Sequence, residues 1–155
     1  MNTEQFADKV EALRPRLYRT ALCFLGNEQD ALEALDEAVY RALRALKKLR
    51  QPEYFDTWMT RILINECNRE LKRRNRFLFA MERKAIVQEN LDDLPLQEAI
   101  QALPEELKQV VILRFFSGYT QAETAATLGI PQGTVATRQR KALSMLKLDL
   151  KEGAE

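Results

Sequence analysis

The sequence predicts an all-α chain: two small helical domains joined by a flexible linker. Apolar residues recur at helical spacing through nearly all of its 155 residues, and the β-branched ones never alternate over a strand's length. Glycine and proline are sparse and mark breaks, at Pro15, Gly26, Pro52, Pro95, Pro104, Gly118, Gly129, Pro131 and Gly133. Charge is also segregated. Residues 50–84 carry five acidic and nine basic side chains, 85–113 carry six and one, and 114–155 carry four and six, so an acidic connector separates two basic modules within a net charge of +1. With 46% hydrophobic residues the chain can bury a core, as one domain or two small ones.

The first domain, residues 1–76, reads as three helices. They span residues 3–25, 28–49, and 54–74 or a little beyond, separated by Gly26-Asn27 and by the loop around Arg50, Gln51 and Pro52. Residues 77–95 form the linker, ending in the acidic Asn-Leu-Asp-Asp-Leu-Pro; its first part, 77–88, is compatible with continued helix. The second domain, 96–150, opens with a short helix to Leu103. Pro104 at a helix start, with Glu105 and Glu106 in the first turn, then favours a helix to Phe116. Two short helices broken at Gly129-Ile-Pro131 follow, and the tail frays from about Asp149.

The broken pair, GYTQAETAATLGIPQGTVATRQRKALSML, has the layout of a helix-turn-helix, in which a packed first helix props a second into the DNA major groove. Small Ala125 and Ala126 stand at the packing point. On the second helix Val135, Ala142 and Leu146 share a face with Leu143 at its edge, while Gly133, Thr134, Thr137, Arg140, Lys141 and Ser144 lie roughly opposite and Arg138 adds a further outward cation. A helical hairpin with merely solvated basic residues is the alternative.

On the third helix Arg61, Asn65, Asn68, Arg69, Lys72 and Arg76 fall within about a 100° arc, opposite Met59, Leu63, Cys67 and Leu71. Cations on that stripe suit phosphates, and asparagine offers a bidentate pair to a base. Tyr54, Phe55 and Trp58 precede it and would either stack on exposed bases or anchor the helix to the core. The second helix has the opposite character. Asp30, Glu33, Asp36 and Glu37 precede Arg41, Arg44, Lys47 and Lys48, an order that suits the helix dipole and, at the acidic end, a protein partner better than DNA.

Catalysis finds little support. Without histidine, imidazole chemistry and the usual zinc sites are excluded, and no Gly-rich phosphate loop or nucleophile motif is present. No cofactor, metal or catalytic residue is expected. Cys23 and Cys67 lie in helical patterns and read as free, buried thiols. No apolar stretch approaches the roughly 18 residues of a membrane span, and no signal-peptide core is present, so a cytoplasmic protein without membrane insertion is expected.

Two separated stretches carry a family resemblance. DALEALDEAVYRALRAL with FDTWMTRILINECNRELKRR, and LPEELKQVVILRFFSGYTQAETAATLGIPQGTVATRQRKAL, resemble a sigma-70 family RNA polymerase sigma factor of the short extracytoplasmic-function type, which retains regions 2 and 4. The resemblance implies promoter-specific initiation with core RNA polymerase, promoter DNA and an anti-sigma factor as partners. Region 2 would grip the polymerase clamp coiled coil through Asp30, Glu33, Asp36 and Glu37. It would recognise and melt the -10 element through Tyr54, Trp58, Arg61, Asn65, Asn68, Arg69, Lys72 and Arg73, with an extruded base held in the loop at 50–56. Region 4 would bind the polymerase flap and read the -35 element through Gln132, Thr134, Thr137, Arg138, Arg140 and Lys141.

Some positions depart from the family pattern. Ala136 stands where a basic residue is frequent and Gln139 where an aliphatic one faces the core, while Thr124 and Thr127 are more polar than usual. Two other functions compete with the resemblance. A sigma-like decoy for an anti-sigma protein would not need the cations, and a dimeric helix-turn-helix repressor would not need the acidic and aromatic features of the first half.

Overall fold

The computed structural model describes residues 1–80 and 94–153, and divides the chain into two compact units, Met1–Glu89 and Asn90–Glu155. All regular structure among the described residues is helical. In the first unit α1 (Thr3–Leu25), α2 (Glu28–Arg44) and α3 (Phe55–Ala80) pack against one another.

Local chemistry sets the ends of these helices. Asn2 and Gln5 form a reciprocal capping box at the start of α1, Gly26 closes it at φ 81°, and Asn27 caps α2 by accepting from the Asp30 N–H. α1 buries Phe6, Val10, Leu13 and Leu17, then every residue from Thr20 to Leu25, so its C-terminal turns lie wholly inside the unit. α2 contributes Ala31, Ala34, Ala38 and Ala42 around a single Leu35, a small-residue stripe that lets its neighbours approach closely. Met59, Leu63, Ile64 and Cys67 of α3 complete the core.

The second unit consists of α4 (Leu94–Ala102), α5 (Glu105–Val111) with a π-helical turn (Ile112–Phe116), α6 (Gln121–Leu128) and α7 (Gln132–Gly153). Val110, Ala125 and Val135 form its central cluster, joined by Leu128 and Ile130. Thr120 and Glu123 form a second capping box at the start of α6, and Gly129 ends that helix at φ 69°.

Several boundaries differ from the sequence expectations. Pro15 breaks nothing: α1 runs through it, exposed on the surface, because one lost backbone bond is offset by the packed face on either side. α2 ends at Arg44, and a 3-10 turn, Leu46–Lys48, replaces its expected last turn, which has no buried residue to hold it. A second 3-10 turn, Pro52–Tyr54, leads into α3. Gly133 lies in the first turn of α7 and not at a break, and α7 continues past Asp149 to Gly153. Of the alanine pair in α6 only Ala125 is buried; Ala126 is exposed.

The helix expected from Pro104 to Phe116 widens at its end. Val110, Val111, Ile112 and Leu113 are consecutive and all buried, so this stretch is covered all round. The turn opens, with the Ser117 N–H reaching the Ile112 carbonyl five residues back at 2.9 Å, and Phe115 is left 47% exposed. Helix also enters both ends of the stretch expected to be linker: α3 continues to Ala80 and α4 begins at Leu94, while 81–93 lie outside the described residues.

Candidate nucleic-acid and protein interfaces

α7 presents the outer face expected of it. Gln132, Thr137, Arg140 and Lys141 are exposed, Thr134 and Arg138 half-buried, and Val135, Ala142 and Leu146 are buried beneath. The Thr137 hydroxyl donates to the Gly133 carbonyl at 3.0 Å, and Arg138 stands 3.9 Å from Glu106. Lys141 and Arg140 make no ion pair among the described residues, so their charge faces water.

Gln139, expected to be an awkward polar intrusion, is accommodated by a polar cluster. Arg114 in the π-helical turn after α5 donates Nε to its side-chain oxygen at 3.0 Å, and Gln121 of α6 donates to the same oxygen at 3.4 Å. Arg114 also donates to the Tyr119 carbonyl. One side chain of α7 is thereby tied to both preceding helices. Thr124 and Thr127 are fully buried in α6, and the Thr124 hydroxyl has no hydrogen-bond partner among the described residues.

Along α3 the cationic stripe is present but partly neutralised from within. Arg61, Asn65, Arg69 and Lys72 are exposed and Asn68 is half-buried, its side-chain carbonyl oxygen without a hydrogen-bond partner among the described residues. Glu66, 7% exposed, lies 3.4 Å from Arg69 and 2.6 Å from Arg41 of α2. Glu70 likewise holds Arg73 at 2.6 Å. The Glu66–Arg69 and Glu70–Arg73 pairs stand at i,i+3 spacing, so the sequence places these carboxylates directly beside the cationic stripe. Of the aromatics, Tyr54 is 58% exposed, Phe55 is in the core edge-on to Phe6, and Trp58 is half-buried with its ring 5.9 Å from Phe55.

The acidic residues of α2 fall into separate settings. Glu33, Asp36 and Glu37 are exposed, Glu37 pairing with Arg41 at 3.1 Å. Asp30 is engaged: it accepts from Asn27 and pairs with Arg74 of α3, whose guanidinium also donates to the Leu25 carbonyl at 2.9 Å. Arg74, in the last third of α3, thus fastens that helix to the end of α1 and the start of α2. Burial alone would raise the Asp30 carboxyl, but the hydrogen bonds from Asn27 and Arg74 outweigh it and hold the group below its ordinary value. Asp30, Glu33 and Glu37 line one depression with Glu66, Arg69, Glu70 and Arg73 of α3, so residues expected to serve different partners share a groove; Asp36 lies outside it.

Cys23 and Cys67 are free and buried, and desolvation pushes the Cys23 thiol up to about 12 and Cys67 higher still. Among the described residues no helix is long and apolar enough to cross a membrane.

Known proteins repeat this arrangement. The profile "Sigma-70 region 2" matches residues 10–77, and "Sigma-70, region 4" matches residues 99–148. RNA polymerase sigma factor SigV of Bacillus subtilis is 30% identical over 139 residues, covering 86% of this chain and 83% of its own. The ECF RNA polymerase sigma factor SigM of Mycobacterium tuberculosis is 30% identical over 139 residues, covering 84% and 69%. In three dimensions the chain is similar, with a TM-score of 0.79 and 22% identity, to the sigma factor RpoE of Bartonella quintana in its complex with the anti-sigma factor NepR, over 96% of this chain and 98% of that one. With a region 2 bundle and a region 4 helix-turn-helix on one chain, and relatives matched across both, the protein belongs to the sigma-70 family, in its extracytoplasmic-function branch.

Proposed function

We propose that this chain, as an extracytoplasmic-function sigma factor, divides promoter-specific initiation among three surfaces. The α2 face carrying Glu33, Asp36 and Glu37 docks on the clamp coiled coil of core RNA polymerase. The exposed side of α3, from Tyr54 and Trp58 through Arg61, Asn65, Asn68, Arg69, Lys72 and Arg73, engages and helps melt the -10 element. The outer face of α7, with Gln132, Thr134, Thr137, Arg138, Arg140 and Lys141, reads the -35 element, and the second unit also meets the polymerase flap.

The observation that carries this reading is the pairing, on one chain, of a region 2 bundle whose third helix turns cations outward with a helix-turn-helix whose Arg140 and Lys141 make no ion pair among the described residues. Asp30 has a different role in it: bound to Arg74, it fixes the bundle and leaves the clamp to its neighbours. The stretch between α3 and α4 serves as a tether between the modules, raising the effective concentration of each for its own DNA element. The chain has no catalysis of its own, works in the cytoplasm, and has an anti-sigma protein as its natural antagonist.

The test is transcription in vitro with core polymerase over a promoter library, with and without the chain. Promoter-specific initiation, with thymines near the -10 element becoming permanganate-reactive only when both components are present, supports the reading. Opening by the chain alone points to a self-sufficient DNA-binding protein, and no initiation at any promoter to a decoy. Glu33→Arg with Asp36→Arg reverses two charges that hold no ion pair among the described residues, and is expected to weaken core binding at least tenfold with helicity retained.

A further inference from the structure

α7 is fastened to its unit by a directional contact that its apolar face cannot supply. The Gln139 side-chain oxygen accepts from two elements at once, Arg114 Nε of the π-helical turn at 3.0 Å and Gln121 Nε2 of α6 at 3.4 Å. Arg114 is anchored in turn. It donates to the Tyr119 carbonyl, lies 5.7 Å from the Phe115 ring centre and has no carboxylate partner among the described residues, so those two oxygens set the orientation of its guanidinium. Arg114, Gln121 and Gln139 are all half-buried, where water competes poorly for the bonds. The other contacts of α7 are of a different kind. Val135, Ala142 and Leu146 are buried against the unit, and apolar contact is non-directional. Arg138 approaches Glu106 at 3.9 Å, but Glu106 is 74% exposed and such a pair holds little.

We propose that Gln139 is a positioning residue: held from two sides, it fixes the rotational setting of α7 and, through it, how sharply the outer face discriminates among -35 bases. Successive residues of a helix stand about 100° apart, so a fixed Gln139 sets the directions of Arg138 and Arg140 on either side of it and of Lys141 beyond. A roll of about 10° displaces a side chain at the helix surface, about 5–6 Å from the axis, by about 1 Å. That breaks a bidentate contact to a base edge, which tolerates little change in distance or angle. Attraction between a cation and a phosphate falls off slowly with distance and survives it. Loss of the Gln139 bonds therefore costs selectivity and leaves most of the phosphate-based affinity in place. With its oxygen occupied by Arg114 and Gln121, Gln139 acts through its neighbours and not on a base.

The inference rests on the assignment of α7 to the -35 element, and the experiment separates the two. Holoenzyme assembled with parent or variant chain is given promoters carrying every single-base change in the -35 element, with the -10 element constant. The affinity ratio between the preferred and each altered element is measured by competition. A ratio taken on one preparation is insensitive to the fraction of chain that is folded, so a loss of stability by itself does not move it. Gln139→Leu, which keeps the bulk and loses the acceptor, is expected to lower the ratio about five- to tenfold at the bases affected, with the salt slope on the preferred element unchanged. Gln121→Leu should give a smaller loss at the same bases, and Arg114→Ala combined with Gln139→Leu no more than Gln139→Leu alone. Gln139→Glu keeps an acceptor for both donors and should retain the ratio. Unchanged ratios in Gln139→Leu overturn the proposal. Equal losses in Gln139→Glu and Gln139→Leu overturn it too, because they make Gln139 a direct contact to DNA. Arg140→Ala with Lys141→Ala is the control for the α7 assignment: affinity and salt slope unaffected in that variant remove α7 from the DNA, whatever Gln139 does.

Discussion

Gln139 of α7 accepts from Arg114 of the π-helical turn after α5 at 3.0 Å, across 25 residues of sequence, and the bond joins the recognition helix to the element that carries it. Both partners are half-buried, so removing the acceptor leaves a guanidinium donor poorly solvated. Gln139→Ala is expected to lower the stability of the second unit by about 1–3 kcal/mol, read from chemical denaturation. Gln139→Leu should not restore it despite its apolar fit. In a double-mutant cycle with Arg114→Ala the two losses should fall short of additivity by about 0.5 kcal/mol or more.

Lys141→Ala and Arg140→Ala should each flatten the dependence of log K on log salt for promoter binding by roughly 0.9 for every phosphate that is no longer neutralised. Arg138→Ala should change the slope by less, because its charge is already shared with Glu106 at 3.9 Å. Equal salt slopes for the parent and both single variants would remove this face from the DNA.

The Asp30 carboxyl titrates below its ordinary value of 3.8 in the folded bundle. The unfolded chain binds that proton first as pH falls, so the carboxylate's contribution is fully present above the ordinary value and disappears as pH drops through the lower, folded one. Asp30→Asn should therefore lose stability near neutral pH and show a shallower loss as pH falls from about 5 to about 2. Thermal melts across that range check it; parallel pH profiles for the two proteins would contradict the Arg74 pairing.

Cys23 and Cys67 are expected to be inert. Both thiols are buried and titrate far above neutrality, so a thiol-specific disulfide reagent at about pH 8 should label neither in the folded protein and both after unfolding in denaturant. Rapid labelling of the folded chain would mean that the first unit opens more readily than its packing implies.

Much of the fold was legible because it is encoded locally. Asn2, Asn27 and Thr120 cap the helices that follow them, Gly26 and Gly129 close helices in the left-handed conformation, and the buried faces of α3 and α7 follow the apolar period. What the sequence concealed depends on how helices meet. Arg74 and Asp30 lie 44 residues apart, and Arg41 and Glu66 belong to different helices, so no window along the chain brings either pair together. The π-helical turn was hidden too: the apolar run from Val110 to Leu113 reads as ordinary helix, and nothing in its spacing marks the widening at Ile112–Phe116. The candidate -10 residues stand out as a stripe, yet the carboxylates restraining Arg69 and Arg73 sit one helical turn away and change how much of that charge is free.

The sorting of charge along α2 gives the first unit a sense of direction. Glu33, Asp36 and Glu37 occupy its first half and Arg41 and Arg44 its last, with Lys47 and Lys48 in the turn beyond. A helix laid beside it with the same ordering, as the peptide dipole itself favours, meets opposite charges at both ends only when it runs the other way. Turned around, it faces like charges at both ends and gains nothing from a better fit in the middle. The bundle can thus reject a partner by its orientation as well as by its sequence.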